Sequence, residues 1–100
     1  MQPMKFFVDT HDQRKETFPA GIGREEFAQF FAKYERHARE EGVVVLRVHV
    51  GIEEGRAFCF SMAPSAEHVK RAHDKAGLPF DGITEVSTAT PGALFFRPQL

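Results

Sequence analysis

Asp9 and His11 stand two residues apart near the start of the chain, His49 lies at its middle and His73 in its last third. Together with Cys59 and Arg47 they are the residues whose types can carry chemistry. Neutral imidazole binds nickel, zinc and copper, a carboxylate can complete such a shell, and a thiolate adds affinity for softer ions. The same histidines can move a proton at neutral pH, with a carboxylate to fix the tautomer and an arginine to hold an anionic substrate. No spacing of the CxxC or HExxH kind is present, so convergence depends on the elements that carry these side chains.

The stretch from Cys59 to Val86 reads as one unit. A strand ends at Met62, Ala63-Pro64 turns, Ser65 caps a helix through its side-chain oxygen, the helix runs to Ala76, and a strand begins at about Ile83. Gly77 can take the left-handed conformation that closes the helix, and Pro79 forbids its continuation. Val69, Ala72, His73 and Ala76 recur at i, i+3, i+4 and i+7, so one histidine sits on the stripe that faces the core. Upstream, Met4 to Thr10 reads as the first strand, and His11 to Gly23 as a polar loop long enough to be a binding or lid segment. Arg24 to Glu41 is a helix with Phe27, Phe30, Phe31, Tyr34 and Ala38 on its apolar stripe, and Gly42 ends it. Val43 to Gly51 is the clearest strand; after a turn at 52–55, Arg56 to Met62 returns, and Ile83 to Ala89 is the last strand.

The order is βαββαβ in a single domain of 100 residues, with 90–100 as an apolar tail. With right-handed crossovers this predicts an α+β, ferredoxin-like fold: a four-stranded antiparallel sheet with two helices on one face. His11, His49 and His73 then come to one end of the sheet, and His37 and His68 to the other. Alternation offers a second sorting. Setting Phe6, Val8, Val44, Leu46, Val48, Val50, Phe58, Phe60 and Met62 toward the helices places Phe7, Asp9, His11, Val43, Val45, Arg47, His49, Cys59 and Ser61 on the opposite face.

Thirteen basic and 14 acidic residues leave no electrostatic footprint for nucleic acid. GRAFCF at 55–60 echoes a ribonucleoprotein motif, but Arg56 stands where a stacking aromatic is needed. No apolar run approaches a membrane span, and the first five residues lack a signal peptide's apolar core, so the expectation is a cytoplasmic protein. Eleven Phe are more large apolar groups than a ~100-residue monomer easily hides, which predicts a homodimer.

Cys59, Ala63-Pro64, Glu67, His73, Ala76-Gly77, Pro79, Ile83 and Glu85-Val86, with Val8 to His11 and Glu41 to Val43 upstream, carry a resemblance. The chain resembles the small ferredoxin-like bacterial proteins of the domain-of-unknown-function family numbered 4242, some of which are described as nickel-binding. The resemblance implies that fold and favours His11 and His73, which match positions where the family shows histidine. The expected function is therefore a dimeric protein that binds a divalent transition metal, nickel or zinc, through His11, His49, His73 and Asp9, with Arg47 and Cys59 beside a small-molecule ligand. The alternative is a dimeric α+β-barrel enzyme, isomerase- or monooxygenase-like, acting on a small organic acid with a histidine general base.

Overall fold

A computed structural model describes residues 3–92. Strands β1 (Lys5–Asp12), β2 (Val44–Gly51), β3 (Arg56–Ala63) and β4 (Gly82–Val86) form one antiparallel sheet in the order β2-β3-β1-β4. Helices α1 (Arg24–Glu40) and α2 (Ala66–Ala76) pack on each other and on one sheet face. This is the ferredoxin-like α+β arrangement that the element order predicts. Strand β1 is one of the two central strands, held by β3 on one side and β4 on the other.

The helix ends follow local chemistry. Gly42 and Gly77 both adopt positive φ just beyond their helices, and Gly77 donates its backbone N–H to the carbonyls of His73 and Asp74. Ser65 begins α2 but does not cap it with its side chain; its hydroxyl bonds His68 Nδ1 at 2.7 Å instead. Strand β1 runs two residues past Thr10, through His11 and Asp12, and a short 3₁₀ turn at Gln13–Lys15 follows. The segment after it is not a purely solvated excursion, because Phe18 and Ile22 bury themselves against Ala57. Strand β4 stops at Val86 rather than Ala89. Of the apolar tail, residues 93–100 lie outside the described part.

The structure reverses the facing expected from alternation. Phe7, Asp9, Cys59 and Ser61 are buried, and Phe7 and Cys59 pack in the helix-side core with Tyr34, Val69 and Ala72. Phe6, Phe60 and Met62 form a separate cluster with Met4, Val8 and Val44. The reason is steric. Ala57, Cys59, Ser61 and Ala63 are the small members of β3, and small side chains let α2 approach through its own Ala72 and Ala76. The large Phe58, Phe60 and Met62 then necessarily point the other way. In β2, a register shift between Val45 and Arg47 changes the parity of the strand. Val45 and Val48 accordingly pack toward the helices, whereas Val44, Arg47 and His49 pair with Met62, Phe60 and Phe58 of the outer set.

Ala72 is fully buried in the helix-side core. Ala72→Leu is expected to cost about 1–3 kcal/mol through overpacking. Denaturant unfolding checks this; an unchanged midpoint would contradict the close approach of α2 to the sheet.

Candidate metal centre

The site begins with a carboxylate in a place where carboxylates are rare. Asp9 is wholly buried in the middle of β1, paired in register with Cys59 of β3 and Ile83 of β4. Two residues on, His11 projects from the same face, and from above α2 contributes His73, which is 1% exposed. One oxygen, Asp9 Oδ1, lies 2.8 Å from His11 Nε2 and 3.0 Å from His73 Nε2.

The other nitrogen of each ring fixes the tautomer. His73 Nδ1 lies 2.8 Å from the Val69 carbonyl, one helical turn back. His11 Nδ1 lies 2.8 Å from the Pro79 carbonyl and 3.2 Å from that of Thr17. Carbonyls only accept, so both Nδ1 atoms carry hydrogen and donate it. In a neutral ring Nε2 would then present a bare lone pair to a carboxylate oxygen, which is repulsive. A proton between Nε2 and the carboxylate, or a cation standing among the three groups, removes that repulsion.

The surroundings hold this geometry in place. The left-handed turn at Gly77 brings Leu78 N–H back to the His73 carbonyl and delivers the Pro79 carbonyl to His11. Thr17 is anchored on both sides: its hydroxyl oxygen accepts the Asp12 N–H at 2.8 Å and its hydroxyl bonds the Asp81 carboxylate. The His73 ring sits among the rings of Tyr34, Phe80 and His11, with centroids 4.5, 4.9 and 5.4 Å away. Burial by itself would push the Asp9 carboxyl up, but the hydrogen bonds from His11 and His73 outweigh it and hold it below its usual range. Burial likewise works against charge on His11, yet the Asp9 carboxylate raises its pKa above the ordinary value. The Cys59 thiol is pushed up to about 12, first by burial and then by the Asp9 charge, so it stays protonated in the metal-free protein.

Asp9, His11 and His73 offer three ligand atoms mutually within 4.8 Å. They suit a first-row divalent ion in several respects. The donors are two imidazole nitrogens and a carboxylate, the Nδ1–H groups are tied to carbonyls as in ligated histidines generally, and Asp9 Oδ2 is buried with no hydrogen-bond partner among the described residues. His49 does not join them. It is exposed on the other side of the sheet, opposite Phe58 of β3, because the β2 irregularity turned that part of the strand outward. Arg47 is also on that side, its guanidinium 4.7 Å from the Phe60 ring centre, and so is remote from the cluster. Cys59 does face the helices and lines the cavity beside His11 and His73. Tyr34 is core, as its place on the α1 stripe predicts, and it is the single hydroxyl among twelve aromatic side chains. Its phenolic oxygen is buried and has no partner among the described residues.

A family model described as "Nickel responsive protein SCO4226-like" matches residues 7–86. The chain belongs to this SCO4226-like family. Among solved structures, the crystal structure of SCO4226 from Streptomyces coelicolor A3(2) is similar at 28% sequence identity and a TM-score of 0.72, covering 85% of this chain and 99% of that one. No curated protein matches. Asp9, His11 and His73 all lie within the stretch matched to the SCO4226-like family.

The pair of shifts sets a pH signature for the metal-free protein. Asp9 has a lowered folded pKa, so its contribution is present above its free value near 3.8 and is lost as pH falls through the folded value. His11 has a raised folded pKa, so its contribution is full below its free value near 6.5 and is lost as pH rises through the folded value. Stability from this pair is therefore greatest between those two free values and declines on the alkaline side. Melting in chelator from pH 5 to 8.5 should show the midpoint falling above pH ~6.5, and Asp9→Asn should flatten the fall. A midpoint that rises with pH in the wild type would contradict the assignment.

Proposed function

We propose that this protein binds one divalent first-row transition ion, nickel in its physiological setting, through His11 Nε2, His73 Nε2 and the Asp9 carboxylate. The observation that carries the reading is the shared orientation of the two imidazoles. Both spend their Nδ1 hydrogens on backbone carbonyls and turn their Nε2 atoms to the same carboxylate oxygen. A buried imidazolium would satisfy its Nδ1–H in the same way, but metal-ligating histidines almost always have this second hydrogen bond, and the unpartnered Asp9 Oδ2 offers an ion one more oxygen. The family's description as nickel responsive favours nickel, and two imidazoles with one carboxylate are a borderline-hard donor set that also accepts zinc and copper. When bound, the ion replaces protons at Nε2, so uptake releases them.

The working unit in this proposal is a cytoplasmic homodimer. Leu46 and Val50 of the edge strand β2 support it, as two large apolar side chains left exposed at 40% and 37%. No helix among the described residues is long and apolar enough to cross a membrane.

Calorimetric titration of chelator-stripped protein with nickel should give one site per chain, with affinity falling as pH drops through ~6.5 because protons compete for the imidazoles. At a hundredfold excess over the dissociation constant the ion should add about 2.7 kcal/mol of stability. His11→Ala, at the more accessible ligand, should abolish that gain, whereas His49→Ala and His37→Ala should retain it. A flat titration with nickel, zinc and copper would overturn the proposal.

A further inference from the structure

The face of the sheet turned away from the helices carries the cluster of Met4, Phe6, Phe60 and Met62. Phe6 stacks on Phe60 with ring centres 5.2 Å apart, and the Arg47 guanidinium lies over the Phe60 ring. Among the described residues, the partly buried apolar side chains packed against this cluster are Val8, Val44 and Val86, all on strands of the same sheet. The two helices lie on the opposite face, and the segment around Phe18 and Ile22 packs there too, against Ala57.

Side chains stand roughly perpendicular to a sheet, so neighbours on one face cover each other's flanks and leave their outer ends to water unless a second layer lies on top. Here the outer ends are covered. Phe6 is 3% exposed, Met4 7%, and Phe60 and Met62 9% each. That burial is complete within a single chain, so the layer comes from the chain itself. Arg47 accounts for part of Phe60, and residues 87–92, which follow β4, carry no large apolar side chain and are mostly exposed. The next stretch of sequence, 93–100, reads ALFFRPQL. Val86 of β4 pairs in register with Phe6, so the chain leaves the sheet beside the cluster, and a turn at 91–92 precedes the apolar stretch. From β4 across to β2 is three strand spacings, ~14 Å, whereas a stretch of this length can extend to ~26 Å.

We propose that the outer face of the sheet is a docking surface for residues 93–100 of the same chain, with Leu94, Phe95 and Phe96 supplying the apolar layer over Phe6 and Met62. The match to the SCO4226-like family ends at residue 86, so this layer is an addition to the shared fold. It closes the outer face to stacking against the sheet of another molecule and leaves the β2 edge, with Leu46 and Val50, for self-association. The proposal is independent of the ion, because Asp9 and His73 lie in the helix-side layer.

Nuclear Overhauser contacts in the full chain test this directly. The rings of Phe95 and Phe96 should show contacts to the methyl groups of Met62, Met4 or Val86 in a uniformly labelled sample. Isotope-filtered spectra of an equimolar mixture of labelled and unlabelled chains should lack them. Contacts in the filtered spectra would give the face to the segment of a second copy, and contacts to Val69 or Leu78 would put the segment on the helix side. Either result overturns the proposal, as does the absence of contacts in the uniform sample. In a second measurement, Phe95→Ser combined with Phe96→Ser in the full chain should raise the fluorescence of a dye specific for exposed apolar surface about threefold, while the far-ultraviolet spectrum keeps its helical signal. An unchanged dye signal in that variant would equally overturn it.

Discussion

A carboxylate buried in the central strand is the constraint around which this fold is arranged. Taking Asp9 out of water costs several kcal/mol unless the charge is matched nearby. The match comes from two imidazoles that reach it from different parts of the chain, His11 from the same strand and His73 from α2, 64 residues away. This ties the position of α2 over the sheet to the site. The left-handed turn at Gly77 places the Pro79 carbonyl against His11, and the helix itself supplies the Val69 carbonyl to His73. Stability and chemistry share the same contacts, because the groups that fix the ring tautomers are the helix and its C-terminal turn.

The small residues of β3 and α2 have a double consequence. Cys59 and Ala63, packed with Ala72 and Ala76, allow the close helix–sheet approach that delivers His73. Under α1 the spacing is set by larger rings, and there the packing leaves the cavity lined by Phe31, Tyr34 and Phe18. The Asp9 cluster and this cavity thus adjoin, with His11 and His73 bordering both. The exposed Phe30, expected in the core from its place on the α1 stripe, stands at the cavity rim instead.

Much of this was legible in the amino-acid order, and the errors are instructive. The two helices, the four strands and their antiparallel order follow from periodicity and from Gly42, Gly77 and Pro79, whose backbone requirements are local. The choice of sheet face was not local. In β1 both faces are apolar, Phe6 and Val8 against Phe7, so alternation alone leaves two solutions a single residue apart. Taking the larger side chains of β3 as core selected the wrong one, because helix approach rewards small residues. Asp9 reinforced the error, since an unpaired carboxylate belongs in water and its partners could be found only by knowing that α2 lies above it. The irregularity at Val45/Arg47 left no mark in the sequence, yet it moved His49 away from His11 and His73. Two of the three expected histidines, His11 and His73, converge on Asp9.

The central claim, that His11 and His73 turn their Nε2 atoms to a common ion with Asp9, is tested most directly by diffraction from crystals soaked in nickel, with data recorded on both sides of the nickel absorption edge. The account predicts one anomalous peak per chain, within bonding distance of His11 Nε2, His73 Nε2 and an Asp9 carboxylate oxygen, with both Nδ1 atoms still on their carbonyls. A peak at His49 or His37 with density absent from the Asp9 cluster would contradict it.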